Sequence, residues 1–204
     1  EVLMLVGLGL GPGDPELLTL RAARLLAEAD RVFVPGEIAR KLVEPYRDPE
    51  VLEFPMSGGE ARIRRCLEEN ADRIAPHALR GLAVFALLGD PCVYSTFSRL
   101  AEVVRERWPA IGITTVPGVS SLTAAASVAG IDLSGGFTVS DGPAPSDRIL
   151  LKVRRPREMA ARLREEGYRT FILVERMYLE GMQVYRGDDL PEESDYFSIL
   201  LARR

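Results

Sequence analysis

The stretch VGLGLGPGDPELLTL, Val6 to Leu20, sets an apolar run against four glycines, Gly7, Gly9, Gly11 and Gly13, and then opens a helical pattern. A buried strand running through a glycine-rich turn into a helix begins an α/β unit, and it also begins many phosphate-binding loops. The dinucleotide fingerprint needs glycines at its first, third and sixth positions. Counting from Gly7 puts Pro12 at the sixth position, and counting from Gly9 puts Asp14 there, so the pattern fails from both starts. Asp14 would also repel an anion at a helix N-terminus, where free N–H groups and the dipole attract one. It reads better as an N-cap, with Pro15 at the first helical position and a helix over Pro15 to Ala29. The turn is therefore expected to make room rather than to hold charge.

Outward from this turn, strand and helix patterns alternate. Strands are predicted at Val2–Leu8, Arg31–Val34, Val51–Phe54, Gly81–Leu88 and Ile111–Val116, and helices at about Glu60–Ile74 and Ser95–Trp108. Such alternation implies a parallel sheet with helices on its faces. After Pro117 the texture changes. A small-residue helix at Ser120–Val128 precedes strands at Phe137–Val139 and Ile149–Val153, a helix at about Pro156–Glu166, and strands at Thr170–Glu175, Gln183–Arg186 and Tyr196–Ala202. Strands this close in sequence point to antiparallel pairing. The domain boundary is expected near Thr114–Pro117, giving domains 1–114 and 115–204.

Composition narrows the function classes. With 204 residues and a formal net charge of −4, the chain does not look like a nucleic-acid binder. No apolar run approaches the roughly 18 residues of a membrane span. Strand-like sequence begins at once, with no basic leader, and Cys66 and Cys92 stand far apart, so reduced thiols in the cytoplasm are expected. The single histidine, His77, sits in a polar segment, and no metal-ligand cluster or Ser-His-Asp triad is apparent. Only Lys41 and Lys152 are lysines, so the basic charge is almost all arginine, which suits planar carboxylates.

Two further stretches follow predicted strand ends, where open parallel sheets bind ligands. LLGDPCVYSTFSRL, Leu87 to Leu100, turns at Gly89-Asp90-Pro91 into a hydroxyl cluster, and VPGVSSLTAAAS, Val116 to Ser127, turns at Pro117-Gly118 into small residues. Each alone is also what an ordinary capped helix or a close helix packing would show. Taken in order and spacing, GLGPGDPELLTLRA, GDPCVYSTF and VPGVSSLTAAA resemble the tetrapyrrole methylase family. Its members transfer methyl groups from S-adenosylmethionine, mostly to precorrin intermediates of cobalamin synthesis. YSTFS and the terminal VERMYLEGMQVYRG and YFSILLARR look most like the C20-methyltransferases of precorrin-2 or cobalt-precorrin-2. GIDLSGGFTVSDGPAPSDRILLK, Gly130 to Lys152, is a short and divergent version of the middle of the second domain.

The resemblance implies two α/β domains, the first with a mostly parallel sheet, the second with a mixed sheet and an active-site cleft between them, and a homodimer. It implies cofactor contacts at Pro12, Leu88, Gly89, Asp90, Val93, Ser120 and Ser121, with Lys152 and Met177 as later contacts. Tyr94, Ser95, Thr96 and Arg99 are candidates to hold the macrocycle, and Arg154 and Arg155 candidates for its carboxylates. The methyl of S-adenosylmethionine is already electrophilic and C20 of a reduced tetrapyrrole is enamine-like, so no protein nucleophile is needed. Asp90 is a candidate base for the C20 proton, or else a holder of its own turn through backbone N–H groups. Rival readings are methylation at another ring position, diphthine synthesis, and a non-catalytic cofactor-binding regulatory module.

Overall fold

The computed structural model describes residues 3–55, 59–135, 137–139 and 146–204. It divides into two compact units, Glu1–Ser134 and Gly135–Arg204. In the first, β1 (Met4–Gly9), β2 (Arg31–Val34), β3 (Glu50–Val51), β4 (Leu82–Leu87) and β5 (Gly112–Val116) form a sheet in the order β3-β2-β4-β1-β5. Every described pairing in it is parallel. The period-2 alternation of a strand places successive side chains on opposite faces. Leu5 of β1 with Ala83, Phe85 and Leu87 of β4 meets one helical layer, and Val6 and Leu8 with Val84 and Ala86 meet the other.

The first layer comprises α3 (Glu60–Ala78) and α4 (Phe97–Arg107), which bury Leu67, Ala71, Ile74, Leu100, Val103 and Val104. The second comprises α1 (Leu20–Glu28) and α2 (Glu37–Val43), which bury Ala22, Leu26, Leu42 and Val43. Each such leucine, valine or phenylalanine contributes about 1.5–3 kcal/mol when fully buried. Gly7 faces the first layer, where a side chain would strike the Phe97 ring, so α4 seats directly on β1.

Several local expectations are corrected. The helix expected from Pro15 to Ala29 is two pieces: a 3₁₀ turn, Pro15–Leu17, capped by Asp14, and α1, whose own cap is the Thr19 hydroxyl accepting from Ala22 N–H at 3.1 Å. Leu17, in the 3₁₀ turn, is consequently exposed. Helix α2 was not foreseen. β5 pairs with β1 from Met4 to Leu8, so the first unit runs on past Thr114 and takes in α5 (Ser121–Ala129). Phe137–Val139, read as a strand, is irregular, and residues 140–145 of the divergent segment, like Val2, lie outside the described residues.

In the second unit β6 (Asp147–Leu151), β7 (Thr170–Glu175), β8 (Gln183–Arg186) and β9 (Ser198–Arg203) pair in the order β6-β9-β7-β8. The pairing is antiparallel throughout, not mixed. Helix α6 (Pro156–Glu165) covers one face, where Ala160 and Leu163 pack with Tyr168, Phe171, Leu173, Leu200 and Ala202.

Glu50 at the start of β3 ties three elements of the first unit, accepting from Arg31 at 2.7 Å and from Arg73 of α3 at 2.9 Å. Burial alone would raise this carboxyl, but the Arg31 hydrogen bond and the nearby Arg73 charge hold it below the ordinary glutamate value. A depressed carboxyl stabilises the fold above its unfolded pKa and loses that contribution as pH falls through the folded one. Glu50→Gln is therefore expected to lower the thermal midpoint at neutral pH by about 2–4 °C, the shift that roughly 1 kcal/mol makes in a chain of this size. The gap to wild type should begin to narrow near the unfolded glutamate pKa, about 4.3, and close only below the lower folded value. A gap that is constant with pH in parallel melts would contradict this.

Candidate active site

The three motif stretches follow β1, β4 and β5, which are adjacent in the sheet order. Because the strands are parallel and in register, with Gly9 opposite Leu87 and Leu8 opposite Val116, their loops leave the sheet side by side. The backbones then close on one another. Leu10 N–H donates to Leu87 O at 2.8 Å, and Gly11 and Gly89 exchange both backbone hydrogen bonds, at 3.3 and 2.7 Å. A β-carbon on Gly9 would lie 2.6 Å from Gly89 O and 2.7 Å from Gly118 Cα, and one on Gly118 would lie 2.8 Å from Gly9 C. Real β-carbons do not approach this closely, and the obstacles are backbone, which cannot swing away. Gly9 and Gly118 thus make room for each other and for the Gly89 carbonyl, while Gly89 itself is required by its left-handed backbone at φ 71°.

Asp90 locks the junction. Its Oδ1 accepts from Cys92 N–H of its own turn at 2.8 Å, and its Oδ2 accepts from Gly118 N–H of the neighbouring loop at 3.1 Å. Cys92 Sγ also stands 3.6 Å from Thr115 Oγ1 on β5. The predicted contacts of the first unit therefore meet at one edge. Pro12 adjoins the Gly11–Gly89 bridge, Leu88 and Val93 present apolar surface, 38% and 39% exposed, and Ser120 and Ser121 open α5. The Ser120 hydroxyl is spent as the cap of α5, accepting from Leu122 N–H at 3.3 Å.

The macrocycle candidates divide. Tyr94 is 66% exposed and holds a left-handed backbone at φ 47°, a conformation that costs a non-glycine residue of order 1–3 kcal/mol and gathers at functional sites. Thr96 is exposed and makes no cap bond. Ser95 does the capping, accepting from Phe97 N–H at 3.0 Å. Arg99 is paired with Glu60 of α3.

Lys152 and Met177 belong to the second unit, where they flank the start of β9. Lys152 N–H donates to Ser198 O at 2.8 Å and Arg176 N–H to Phe197 O at 2.7 Å. The other left-handed non-glycine residues are here, Lys152 at φ 58°, Arg176 at 49° and Tyr178 at 62°, all at or beside predicted contacts. Acceptance by the Tyr196 phenol oxygen, reinforced where that phenol ionises, pushes the Lys152 ammonium above the ordinary lysine value. Asp195 is held below the usual aspartate value by Phe197 N–H and then by Arg176. Sequence reading missed the strain at Arg176 and Tyr178, for which composition carries no signal, and the aromatic pair Tyr196–Phe197 beside Lys152, visible only as part of a strand. Among the described residues no cluster of three or more His, Cys, Asp or Glu side chains suits a metal ion, and no helix is long and apolar enough to cross a membrane.

An open parallel sheet with three glycine-tied loops at its carboxyl edge, joined to an antiparallel unit with strained loop ends, is an α/β enzyme architecture with its ligand loops at strand ends. Residues 4–188 match the family of Tetrapyrrole (Corrin/Porphyrin) Methylases, and the chain belongs to that family of S-adenosylmethionine-using methyltransferases. A probable cobalt-precorrin-2 C(20)-methyltransferase of Methanocaldococcus jannaschii is 28% identical over 222 residues, covering 97% of this chain and 95% of its own. A precorrin-2 C(20)-methyltransferase of a Sinorhizobium species is 31% identical over 153 residues, which are 66% of this chain and 61% of that one. The crystal structure of the cobalt precorrin-4 methyltransferase CbiF has a TM-score of 0.54 at 19% identity, covering 98% of this chain and 95% of that chain, a likeness of fold.

Asp90→Asn exchanges one carboxylate oxygen for an NH₂ donor, so one of the two backbone N–H groups loses its acceptor. Charged hydrogen bonds contribute about 1.5–3 kcal/mol each. The expected result is a lower melting midpoint together with S-adenosylhomocysteine affinity weakened by roughly tenfold, about 1.4 kcal/mol. Unchanged stability and affinity with turnover abolished would instead make Asp90 a proton acceptor.

Proposed function

We propose that the chain methylates C20 of precorrin-2 or its cobalt form in cobalamin biosynthesis. The observation that carries this reading is the junction of Gly9, Gly89 and Gly118, which assembles the three motif loops on one edge. The C20 position follows the Methanocaldococcus jannaschii and Sinorhizobium relatives, the first of which aligns along nearly the whole chain.

The residues present fit S-adenosylmethionine. Leu88 and Val93 offer apolar surface for an adenine ring, and the glycines keep side-chain bulk off the edge where the three loops meet. The half-buried Asp90 supplies the carboxylate that a cationic ligand at this edge would meet. When bound, S-adenosylmethionine supplies a methyl group already activated by its sulfonium charge. Pro12, Leu88, Gly89, Asp90, Val93, Ser120 and Ser121 are assigned to holding it, and Tyr94 and Thr96 to the macrocycle. Both oxygens of Asp90 are occupied by backbone N–H groups, which favours a positioning role over proton transfer. Ser95 and Arg99 support the site indirectly, by capping α4 and by fixing α4 to α3. A rigid pair of binding surfaces suffices for the chemistry, since alignment of two bound reactants can supply about 7–11 kcal/mol of the barrier.

Incubation with precorrin-2 or cobalt-precorrin-2 and S-adenosylmethionine carrying a ¹³C methyl, followed by carbon NMR of the product, tests the assignment. The label is expected on C20. Label on any other ring position would refute the C20 reading while leaving the methyltransferase class intact.

A further inference from the structure

A cavity of about 330 Å³ opens beside the connection from β6 to α6. Lys152, Arg154, Arg155 and Arg162 line it, against the single carboxylate of Glu158. The whole chain carries a net charge of −4, so four cations against one carboxylate make a local excess of positive charge, bounded by Glu192 and Glu193 in the adjoining hollow and by Asp195 near Arg154. Arg155 and Glu158 stand 3.5 Å apart. Among the described residues, Lys152, Arg154 and Arg162 have no carboxylate partner within ion-pair distance, whereas most arginines on this surface do.

The cavity adjoins an aromatic shelf. Lys152 Nζ stands 5.2 Å from the Tyr196 ring centroid, and the Tyr196 and Phe197 rings meet edge to face at 5.4 Å. These rings are 49% and 58% exposed, an unusual state for two adjacent large aromatics. Shelf and cavity are held in fixed relation by backbone bonds, Lys152 N–H to Ser198 O at 2.8 Å and Ser194 N–H to Arg154 O at 3.0 Å. Ser198 Oγ adds a bond to Val153 O at 2.8 Å. The left-handed backbone of Lys152 turns the chain sharply here, carrying it from the sheet edge into the cation cluster.

We propose that this corner of the second unit docks the tetrapyrrole substrate, with the Tyr196–Phe197 shelf against the flat macrocycle and Arg154 and Arg162 receiving its carboxylates. The inference rests on the reading of the substrate as a polycarboxylate precorrin and extends it to a named surface. The cavity suits carboxylate arms rather than a whole macrocycle, and guanidinium forks match carboxylates in a directional way that lysine does not. An exposed aromatic next to unpaired arginines serves a ligand that is apolar on its faces and anionic at its rim.

The test uses uroporphyrin III, an air-stable octacarboxylate macrocycle, titrated by fluorescence quenching into the wild type, Arg154→Glu/Arg162→Glu and Tyr196→Ala at low and high salt. Charge reversal at both arginines is expected to weaken binding by roughly a hundredfold, tenfold for each lost charge-assisted contact, and to flatten the salt dependence. Tyr196→Ala is expected to weaken binding while leaving the salt dependence steep. Affinity for S-adenosylhomocysteine by calorimetry should stay at the wild-type value in the doubly reversed protein. Wild-type affinity for uroporphyrin in the doubly reversed protein, with its melting midpoint preserved, would overturn the proposal. So would tripolyphosphate displacing the porphyrin as effectively as the porphyrin itself binds, since that would mark a general anion cavity. A protein that loses porphyrin sensitivity to these arginines yet still labels C20 refutes the docking surface alone, and one that binds the porphyrin here but labels no precorrin refutes the functional reading.

Discussion

Three backbone segments in the first unit touch where no side chain can stand between them. Gly9 at the end of β1, Gly89 after β4 and Gly118 after β5 approach so closely that a β-carbon on Gly9 or Gly118 would collide with peptide atoms of the other two. Everything at the ligand edge depends on that contact. The sheet order β4-β1-β5 brings the segments together, and the two-way Gly11–Gly89 hydrogen bonding and the Asp90 carboxylate fix them. Phe97 seats on Gly7 from the helical layer below, so the first helix turn after the Gly-Asp-Pro loop is anchored to the same strand. The glycines that look like a phosphate cradle in the sequence are a packing device, and the polar edge they leave is backbone.

Much of this was legible beforehand, for physical reasons. Continuous apolar runs such as Gly81–Leu88 and the breaks at Gly-Asp-Pro and Pro-Gly locate strands and their ends well, because buried parallel strands are uniformly apolar and turns demand particular residues. Failure of the glycine spacing set the phosphate reading aside, and the structure shows Gly9 and Gly118 in close backbone contact. What could not be read was tertiary. Nothing in Gly9 alone says that its neighbour is Gly118, more than a hundred residues away. The split at Leu18-Thr19 needed two successive caps, Asp14 and Thr19, to be recognised where one helix pattern seemed continuous. Helix α2 was hidden by its brevity, although Pro35-Gly36 followed by Ala39, Leu42 and Val43 carries the period. In the second sheet the α6 connection leaves β6 and β7 running the same way, but β9 inserts between them, so every neighbouring pair is antiparallel.

The site residues show the same division. Asp90 was open between two duties, and its two backbone partners supply a duty of positioning that the sequence could only name as an alternative. Ser95 and Arg99 read as substrate groups by proximity to Tyr94; in the structure the Ser95 hydroxyl also accepts from Phe97 N–H at the start of α4, and Arg99 pairs with Glu60 of α3. In the second unit the informative residues are those in costly backbone conformations. Lys152, Arg176 and Tyr178 keep left-handed torsions at the ends of β6 and β7, next to exposed Met177, Tyr196 and Phe197. Such strain persists only where surrounding structure enforces it.

The central claim is that the glycine junction and the loops it joins form the floor on which S-adenosylmethionine rests. Backbone amide shifts of ¹⁵N-labelled protein, followed by NMR as S-adenosylhomocysteine is added, test it most directly. The account predicts the largest changes at Gly9 to Gly11, Leu88 to Val93 and Gly118 to Ser121, with Gly118 N–H reporting the Asp90 bond. Saturable binding that leaves these amides unmoved and shifts others instead would contradict it.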